Sequence, residues 1–167
     1  EGDYNSEVAY MGCRTRVIGN TYDPDREIVT GRGNLSFTSI NLPRLAIKAD
    51  HNVGAFFDML DEMMDLTIEQ LMHRFKIQAQ KKARNFPFLM GQGVWIDSDN
   101  LGPDDYVGEI LKHGTLSVGF IGLAETLKAL IGKHHGEDEE ARELGLEIIT
   151  AMRNRLDEES KRTGLNF

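Results

Sequence analysis

Cysteine is nearly absent: Cys13 is the single one in 167 residues. That rules out a disulfide within the chain and a four-cysteine metal site built from it alone, and it fits cytosolic chemistry. Long hydrophobic runs are missing too. None approaches the roughly 18 consecutive apolar residues that a membrane-spanning helix requires, so no membrane association is expected. The opening Glu1-Gly2-Asp3-Tyr4-Asn5 has neither the basic nor the apolar part of a secretory leader. Positive charge is in short supply: 19 Lys and Arg against 27 Asp and Glu give a net charge of -8. Such a balance argues against a general nucleic-acid binder, although a nucleotide pocket can still be locally positive. Neither a repeat, a low-complexity tract nor a clear linker interrupts the chain. What it does hold is 40% apolar residues, enough for a core, in a length that suits one domain or a large piece of one. The first residue is not Met, and Leu165-Asn166-Phe167 reads as the beginning of a strand. Both lead us to expect an excised segment of something longer.

Val8 to Met11 and Thr15 to Gly19 read as short strand-like stretches around a Gly12-Cys13 turn, and Thr21 to Asp25 as a turn fixed by Pro24. Gly31 and Gly33 bracket Arg32 and lead into a strand over Asn34 to Leu42, closed by Asn41-Leu42-Pro43-Arg44. Leu35, Phe37 and Ser39 share one face of it, and Ser36, Thr38 and Ile40 the other. Neither face is purely polar, which predicts a strand covered on both sides. Asp50 or Asn52 is placed to cap a long helix from Asn52 to Arg84. Its stripe is Phe56, Leu60, Met63, Met64, Thr67, Leu71, Phe75 and Ala79. Asp58, Asp61, Glu62, Asp65 and Glu69 form its outward side, and Lys76, Lys81, Lys82 and Arg84 suit the dipole at its end. After the Asn85-Phe86-Pro87 stop, Leu89 to Ile96 reads as strand plus loop and Asp97 to Pro103 as loop. Pro103 opens a short helix over Asp104 to Lys112. A strand over Thr115 to Phe120 feeds directly into a helix over Ile121 to Ile131, stopped by Gly132. The last helix runs from the acid-rich Gly136 to Glu140 start to Lys161, with Ala141, Leu144, Ile148, Met152 and Leu156 as its stripe. The pattern is an alternating α/β chain, a single segment 1–167: first strands over 1–50, a long helix over 52–84, strand-helix units over 88–167.

Several side chains admit two readings. Cys13 is either a small buried hydrophobe or a reactive sulfur on a turn, with Gly12 relieving crowding and Arg14 able to lower its pKa. A hydrolytic Cys-His pair would need His51, His73, His113, His134 or His135 nearby, and the spacing selects none of them. Asn34 is either a hydrogen-bonding residue at a strand start or an amide that holds a substrate hydroxyl. Arg32 could hold phosphate, but a solvated Arg beside glycine turns is ordinary. The run Ser117-Val118-Gly119-Phe120-Ile121-Gly122 lacks the Lys-Ser/Thr end of a phosphate-binding loop. It still passes from strand to helix start, where exposed N–H groups suit an anion. His134-His135 is no metal signature, Glu137 to Glu140 reads as helix-start solvation, Glu125 is a possible site acid, and the seven Met read as core packing.

Two blocks carry a resemblance: Tyr10-Met11-Gly12-Cys13-Arg14-Thr15-Arg16, and Gly31-Arg32-Gly33-Asn34-Leu35-Ser36-Phe37-Thr38-Ser39-Ile40-Asn41-Leu42-Pro43-Arg44. With Gly114 to Glu125 and Thr163 to Phe167, the chain resembles the catalytic barrel of the anaerobic (class III, oxygen-sensitive) ribonucleoside-triphosphate reductases along essentially all its length. The resemblance implies part of a ten-stranded α/β barrel of the glycyl-radical enzyme type, with a cysteine finger loop. Cys13 matches the fingertip cysteine that becomes a thiyl radical and takes the ribose 3′ hydrogen, after which the 2′ hydroxyl leaves as water. Asn34 matches an Asn near the ribose hydroxyls. Ser36 and the Ser117 to Gly122 junction are the substrate-binding candidates, the junction for the triphosphate on physical grounds. Formate is the family's usual reductant; some members use a thiol pair.

The resemblance further implies a cytoplasmic, homodimeric parent enzyme of DNA precursor synthesis. Its radical glycine would be installed by an iron–sulfur activase that uses S-adenosylmethionine. The radical glycine, zinc-binding cysteines and allosteric nucleotide sites of the family lie outside this segment, so no cofactor or metal is assigned to these residues. A partial barrel exposes strand edges and apolar helix faces. The segment alone is therefore expected to be inactive and to self-associate. Two alternatives stay open at this point: a segment of another glycyl-radical enzyme, and a non-catalytic α/β binding or structural domain with Cys13 merely packed.

Overall fold

The computed structural model describes residues 9–11, 15–17, 19–26 and 28–167, the first two stretches as backbone. Two short strands, β1 (Ala9–Met11) and β2 (Thr15–Val17), pair antiparallel with Met11 opposite Thr15. Strand β3 (Asn34–Asn41) is followed by helices α1 (Leu42–Ala49) and α2 (Val53–Ala79). Two 3-10 turns, Ala83–Asn85 and Ser98–Asn100, and the short α3 (Gly108–Leu111) lead to β4 (Thr115–Ile121). Helices α4 (Leu123–Ile131) and α5 (Glu139–Thr163) complete the chain. The fold is α/β, with β3 and β4 forming a two-stranded parallel sheet. Thr115 donates its N–H to Gly33 O (2.9 Å) and Leu116 to Asn166 O (2.8 Å). Successive strand N–H groups point to opposite sides, so β4 sits between the start of β3 and the chain's last residues. The expected strand beginning at Leu165 is present as a parallel bridge between Thr115 and Asn166.

The chain divides into two compact units, each discontinuous in sequence. One comprises residues 37–70 and 118–158. Its core is apolar: Ile40, Leu42, Leu45, Ala46 and Ala49 meet Phe56, Leu60 and Met64 of α2, Leu127 and Leu130 of α4, and Ile148 and Met152 of α5. The stripes anticipated on α2 and α5 supply most of it. The other comprises residues 1–36, 71–117 and 159–167. It buries Leu71, Phe75, Trp95, Val107, Ile110 and Leu116 together with Asn20, Arg32, Ser98, His113, Glu159, Ser160 and Asn166.

Several sequence expectations are corrected. The strand ends at Asn41 rather than Leu42, and residues 42–49 form a helix where no element had been expected. The cause is local: Asn41 Oδ1 accepts from Arg44 N (3.1 Å), Pro43 sits in the first turn, and Leu42, Leu45, Ala46 and Ala49 make one buried stripe. Asp50, one candidate cap for the long helix, instead ends α1 in the left-handed region (φ 46°). Asn52 is the cap, its Oδ1 accepting from Ala55 N at 3.0 Å. The long helix stops at Ala79 rather than Arg84. Residues 81–84 pair with 103–107 instead: Ala83 N donates to Asp105 O (2.9 Å), Arg84 N to Pro103 O (3.0 Å) and Val107 N to Lys81 O (3.0 Å). The same pairing holds 103–107 open, so the helix predicted over Asp104 to Lys112 shrinks to Gly108–Leu111. Leu89 to Ile96 contains no strand; it turns through Gly93 (φ 65°) so that Trp95 buries its ring and donates Nε1–H to Ile110 O at 2.8 Å. The last helix begins at Glu139. Finally, β3 is covered on one face only among the described residues, since Phe37 is 69% exposed and Ser39 is exposed while Ile40 is buried.

Candidate functional site

Residues 12–14, Cys13 among them, lie outside the described residues, as does Arg14's proposed influence on the thiol. The strands on either side are paired, and Met11 and Thr15 face each other across that connection. The chain then reaches Gly31, whose φ of 70° places it in the left-handed region. A Cβ there would meet Ile96 N at 3.1 Å and Val94 O at 3.2 Å, so a side chain would break the approach that brings Ile96 N to Gly31 O (2.7 Å). Arg32 is 6% exposed, not solvated as expected. It donates to the carbonyls of His113 (2.8 Å), Gly19 (2.6 Å) and Ile28 (3.2 Å). Those bonds commit the guanidinium to three backbone segments rather than to a phosphate.

Asn34 opens β3 on the face that α2 covers. Along this face the two elements are joined at regular intervals. Thr38 Oγ1 donates to Gln70 Oε1 (2.8 Å), and Arg74 Nη1 to Ser36 Oγ (3.1 Å). One turn further, Gln78 Nε2 donates to Leu35 O at 3.2 Å. Asn34 Oδ1 and Gln78 Oε1 are the two side-chain atoms among the described residues that are buried with no hydrogen-bond partner. A buried unmatched acceptor is destabilising by about 1–3 kcal/mol, and native chains keep few of them, each matched by an ordered water or ion or tied to strain or function. Gln70, Arg74 and Gln78 were not singled out in the sequence. The available signal was their spacing of four, a polar row beside the apolar stripe of α2.

A second polar cluster surrounds His113. Thr21 N donates to Asn166 Oδ1 (2.7 Å), Asn166 Nδ2 to Asn20 Oδ1 (3.0 Å), and Asn20 Nδ2 lies 2.9 Å from His113 Nδ1. This series orients each amide in turn and leaves Nδ1 as an acceptor, so the ring carries its proton on Nε2, which lies 3.1 Å from Asp97 Oδ2. Asp97 also accepts two bonds from Arg26, at 2.9 and 2.5 Å. Burial pushes the His113 pKa down, against the pull of Asp97. The Arg26 guanidinium holds the Asp97 carboxyl below its usual range. Tyr22 stacks edge-on to His113 and donates its hydroxyl to Glu109 (2.6 Å), which pushes its pKa up to about 12. His113 had been considered as one of five possible partners for Cys13. Its two ring nitrogens are committed to Asn20 and Asp97, which assigns it to holding together residues distant in sequence.

Of the junction candidates, Ser117, Val118, Gly119, Phe120 and Ile121 lie on β4 and Gly122 is the N-cap of α4, with φ 74°. A Cβ on Gly119 would come within 3.0 Å of Ser39 Oγ, so Gly119 shares a sheet face with Ser39. Strand alternation then puts Ser117 and Ile121 on that same face, opposite to Asn34 and Ser36. A Cβ on Gly122 would collide with the ring of Pro43, and its carbonyl accepts from Thr126 N (2.9 Å) and Oγ1 (2.7 Å). Glu125 occupies the first turn of α4. The α2–α5 cavity of about 280 Å³, lined by Phe57, Asp58, Leu60, Asp61, Met64, Ala151, Met152 and Arg155, includes none of the sequence-derived candidates.

The α/β fold with its two-stranded parallel sheet is consistent with a small part of a larger barrel; the ten-stranded barrel itself is not observed among the described residues. The family model for anaerobic ribonucleoside-triphosphate reductase matches residues 1–167, and the chain belongs to that family. It is 36% identical over 160 residues to the anaerobic ribonucleoside-triphosphate reductase of Escherichia coli (strain K12), covering 94% of this chain and 22% of that protein. The protein of the same name from Salmonella typhimurium is 37% identical over 160 residues. That from Enterobacteria phage T4 is 34% identical over 166 residues, 96% of this chain and 26% of the phage protein. The chain thus spans about a quarter of the length of these relatives.

Proposed function

We propose that this chain is part of the catalytic barrel of an oxygen-sensitive ribonucleotide reductase that converts ribonucleoside triphosphates to 2′-deoxyribonucleoside triphosphates. The observation that carries the reading is the buried, unmatched Oδ1 of Asn34, in a chain that matches this reductase family from end to end. Cys13 supplies the sulfur. As a thiyl radical it takes the 3′ hydrogen of the ribose, forming S–H and leaving the unpaired electron on C3′. The 2′ hydroxyl then takes up a proton and departs as water; formate, oxidised to carbon dioxide, supplies two electrons and a proton, which place the new hydrogen on C2′, and the S–H returns its hydrogen atom to C3′, regenerating the thiyl radical. Asn34 holds the sugar hydroxyls, its carbonyl accepting where no protein donor reaches. A hydrogen-atom transfer depends on placement more than on acidity, and the pairing of Met11 with Thr15 limits the connection that carries Cys13 to three residues. Ser36, on the Asn34 face, and the Ser117 to Gly122 junction are the remaining substrate contacts, the junction through its backbone N–H groups.

The radical glycine, the zinc-binding cysteines and the regulatory nucleotide sites belong to other parts of the full enzyme. Among the described residues no group of three or more His, Cys, Asp or Glu is placed to hold a metal. The full enzyme works as a homodimer with an iron–sulfur activase, and the 167-residue chain by itself does not turn over substrate. In the full-length enzyme, Cys13→Ala abolishes deoxynucleotide formation while nucleotide binding persists. Asn34→Ala lowers turnover by about 100-fold or more. Turnover by the Cys13→Ala enzyme, or by the isolated chain given activase, formate and substrate, overturns the reading. The family match favours this reading over a carbon–carbon lyase or a purely structural domain.

A further inference from the structure

We infer that His113 is an acid-sensitive latch: its neutral ring fastens residues 19–21 against Asn166 near the end of the chain, and a second proton on the ring releases them. Every residue of the latch lies in the unit made of residues 1–36, 71–117 and 159–167. Backbone groups set its polarity. Asn166 Oδ1 accepts from Thr21 N (2.7 Å), and Asn166 Nδ2 donates to the carbonyls of Lys112 (3.1 Å) and Gly114 (3.3 Å). A main-chain N–H only donates and a carbonyl only accepts, so the Asn166 amide has one orientation. Its Nδ2 also donates to Asn20 Oδ1 (3.0 Å), which leaves Asn20 Nδ2 facing His113 Nδ1 at 2.9 Å. Nδ1 is thereby required to accept. Asn20, His113 and Asn166 are all buried, so water does not readily replace a lost partner.

A protonated ring carries N–H on both nitrogens. Nε2–H keeps its contact with Asp97 Oδ2 (3.1 Å), but Nδ1–H then meets the Asn20 NH2 group, donor against donor. Turning the Asn20 amide sets its Nδ2 against Asn166 Nδ2. Turning Asn166 as well sets that Nδ2 against Thr21 N. The mismatch ends only when residues 19–21 part from His113. The charges around the ring do not relieve it. Asp97 and Arg26 meet the Nε2 side, and Asp23 is paired with Arg26 at 2.9 Å. Glu109 is engaged by Lys112 and by Tyr22, whose ring stacks edge-on to His113, and Arg32 donates to the His113 carbonyl. None of them meets Nδ1. Burial pushes the pKa of the ring below its ordinary 6.5, so the latch is closed above pH 6.5 and opens as pH falls through the folded value. The released residues belong to the connection between β2 and β3.

The test is hydrogen exchange of the full-length enzyme at about pH 7.5 and about pH 5, read as protection factors of single amides. Thr21 N–H loses about tenfold in protection at the lower pH, the weight of one hydrogen bond. Leu116 N–H, bonded to Asn166 O at 2.8 Å, and the amide of Leu60 in the apolar core keep theirs. His113→Phe shows no step. Asn20→Asp inverts it, because a carboxylate accepts both from Asn166 Nδ2 and from a protonated Nδ1, so Thr21 is better protected at the lower pH. Equal losses at Thr21, Leu116 and Leu60 are general acid unfolding and overturn the inference. So does a parent enzyme in which Thr21 protection does not change with pH, or a step that survives in His113→Phe. Should His113→Phe fail to fold, Asn20→Asp decides: a step in the direction of the parent sinks the latch, and an inverted one upholds it.

Discussion

The interior of residues 37–70 and 118–158 and that of residues 1–36, 71–117 and 159–167 are built on different physics. The first is a contiguous apolar cluster in which Phe56, Leu42 and Leu127 are fully excluded from water. Its polar exceptions are Thr67 and Thr126, the latter closing a bond to the carbonyl one turn back. The second buries a histidine, an arginine, a glutamate and two asparagines among its apolar side chains. Apolar burial is non-directional and tolerates substitutions of similar volume. Hydrogen-bonded polar groups have defined directions and are strongly destabilising when a partner is lost. The polar interior is thus the one suited to placing groups accurately. It is also where Asn34 and Gln78 sit and where the paired β1 and β2 belong.

Substitutions can break or sharpen that contrast. The largest effect falls on the apolar core, where Phe56→Ala removes a fully buried ring and destabilises the chain by about 3–5 kcal/mol, read as a shift in the urea midpoint. A retained midpoint would mean that the cluster is not the main source of stability. In the polar interior, His113→Phe preserves volume but leaves Asn20 Nδ2 unmatched and Asp97 short of a donor, lowering stability by about 2 kcal/mol. Adding Asn20→Leu makes the pair less damaging than the sum of the single changes, because both partners of one bond are then gone.

His113 also separates the two interiors by pH. Its folded-state pKa lies below the ordinary 6.5 because burial disfavours the charged ring. The unfolded chain therefore binds the proton more readily, so the contribution is present above pH 6.5 and is lost as pH falls through the folded value. Urea midpoints measured from pH 7 downward fall in the parent and fall less in His113→Phe. Phe56→Ala lowers the midpoint at each pH and leaves the slope as in the parent. The smallest effect belongs to neither interior. Arg153→Ala breaks an exposed pair with Asp157 (2.9 Å) and changes stability by no more than about 0.5 kcal/mol.

Legibility divided instead between local signals and distant contacts. The stripes of α2 and α5, β4 with the helix after it, the Gly132 stop (φ 80°) and the terminal bridge at Asn166 were readable, because each depends on spacing within one stretch or on a glycine that can enter the left-handed region. Helix α1 carried its own signals in Asn41, Pro43 and the Leu42–Ala49 stripe, but the adjoining strand pattern masked them. Asn34 was recognised as a site candidate through the family resemblance, whereas Gln78 was not.

Periodicity and glycine stops were sufficient to indicate an alternating α/β chain, and the blocks around Cys13 and Asn34 carried its resemblance to the anaerobic reductases. They could not show that residues 81–84 would leave the helix to pair with 103–107, nor that Arg32 and His113 would be buried as connectors. Each of these depends on which backbone and side-chain polar groups meet from positions tens of residues apart. A hydrogen bond of that kind has no period along the chain, and it exists only once packing has brought donor and acceptor within reach.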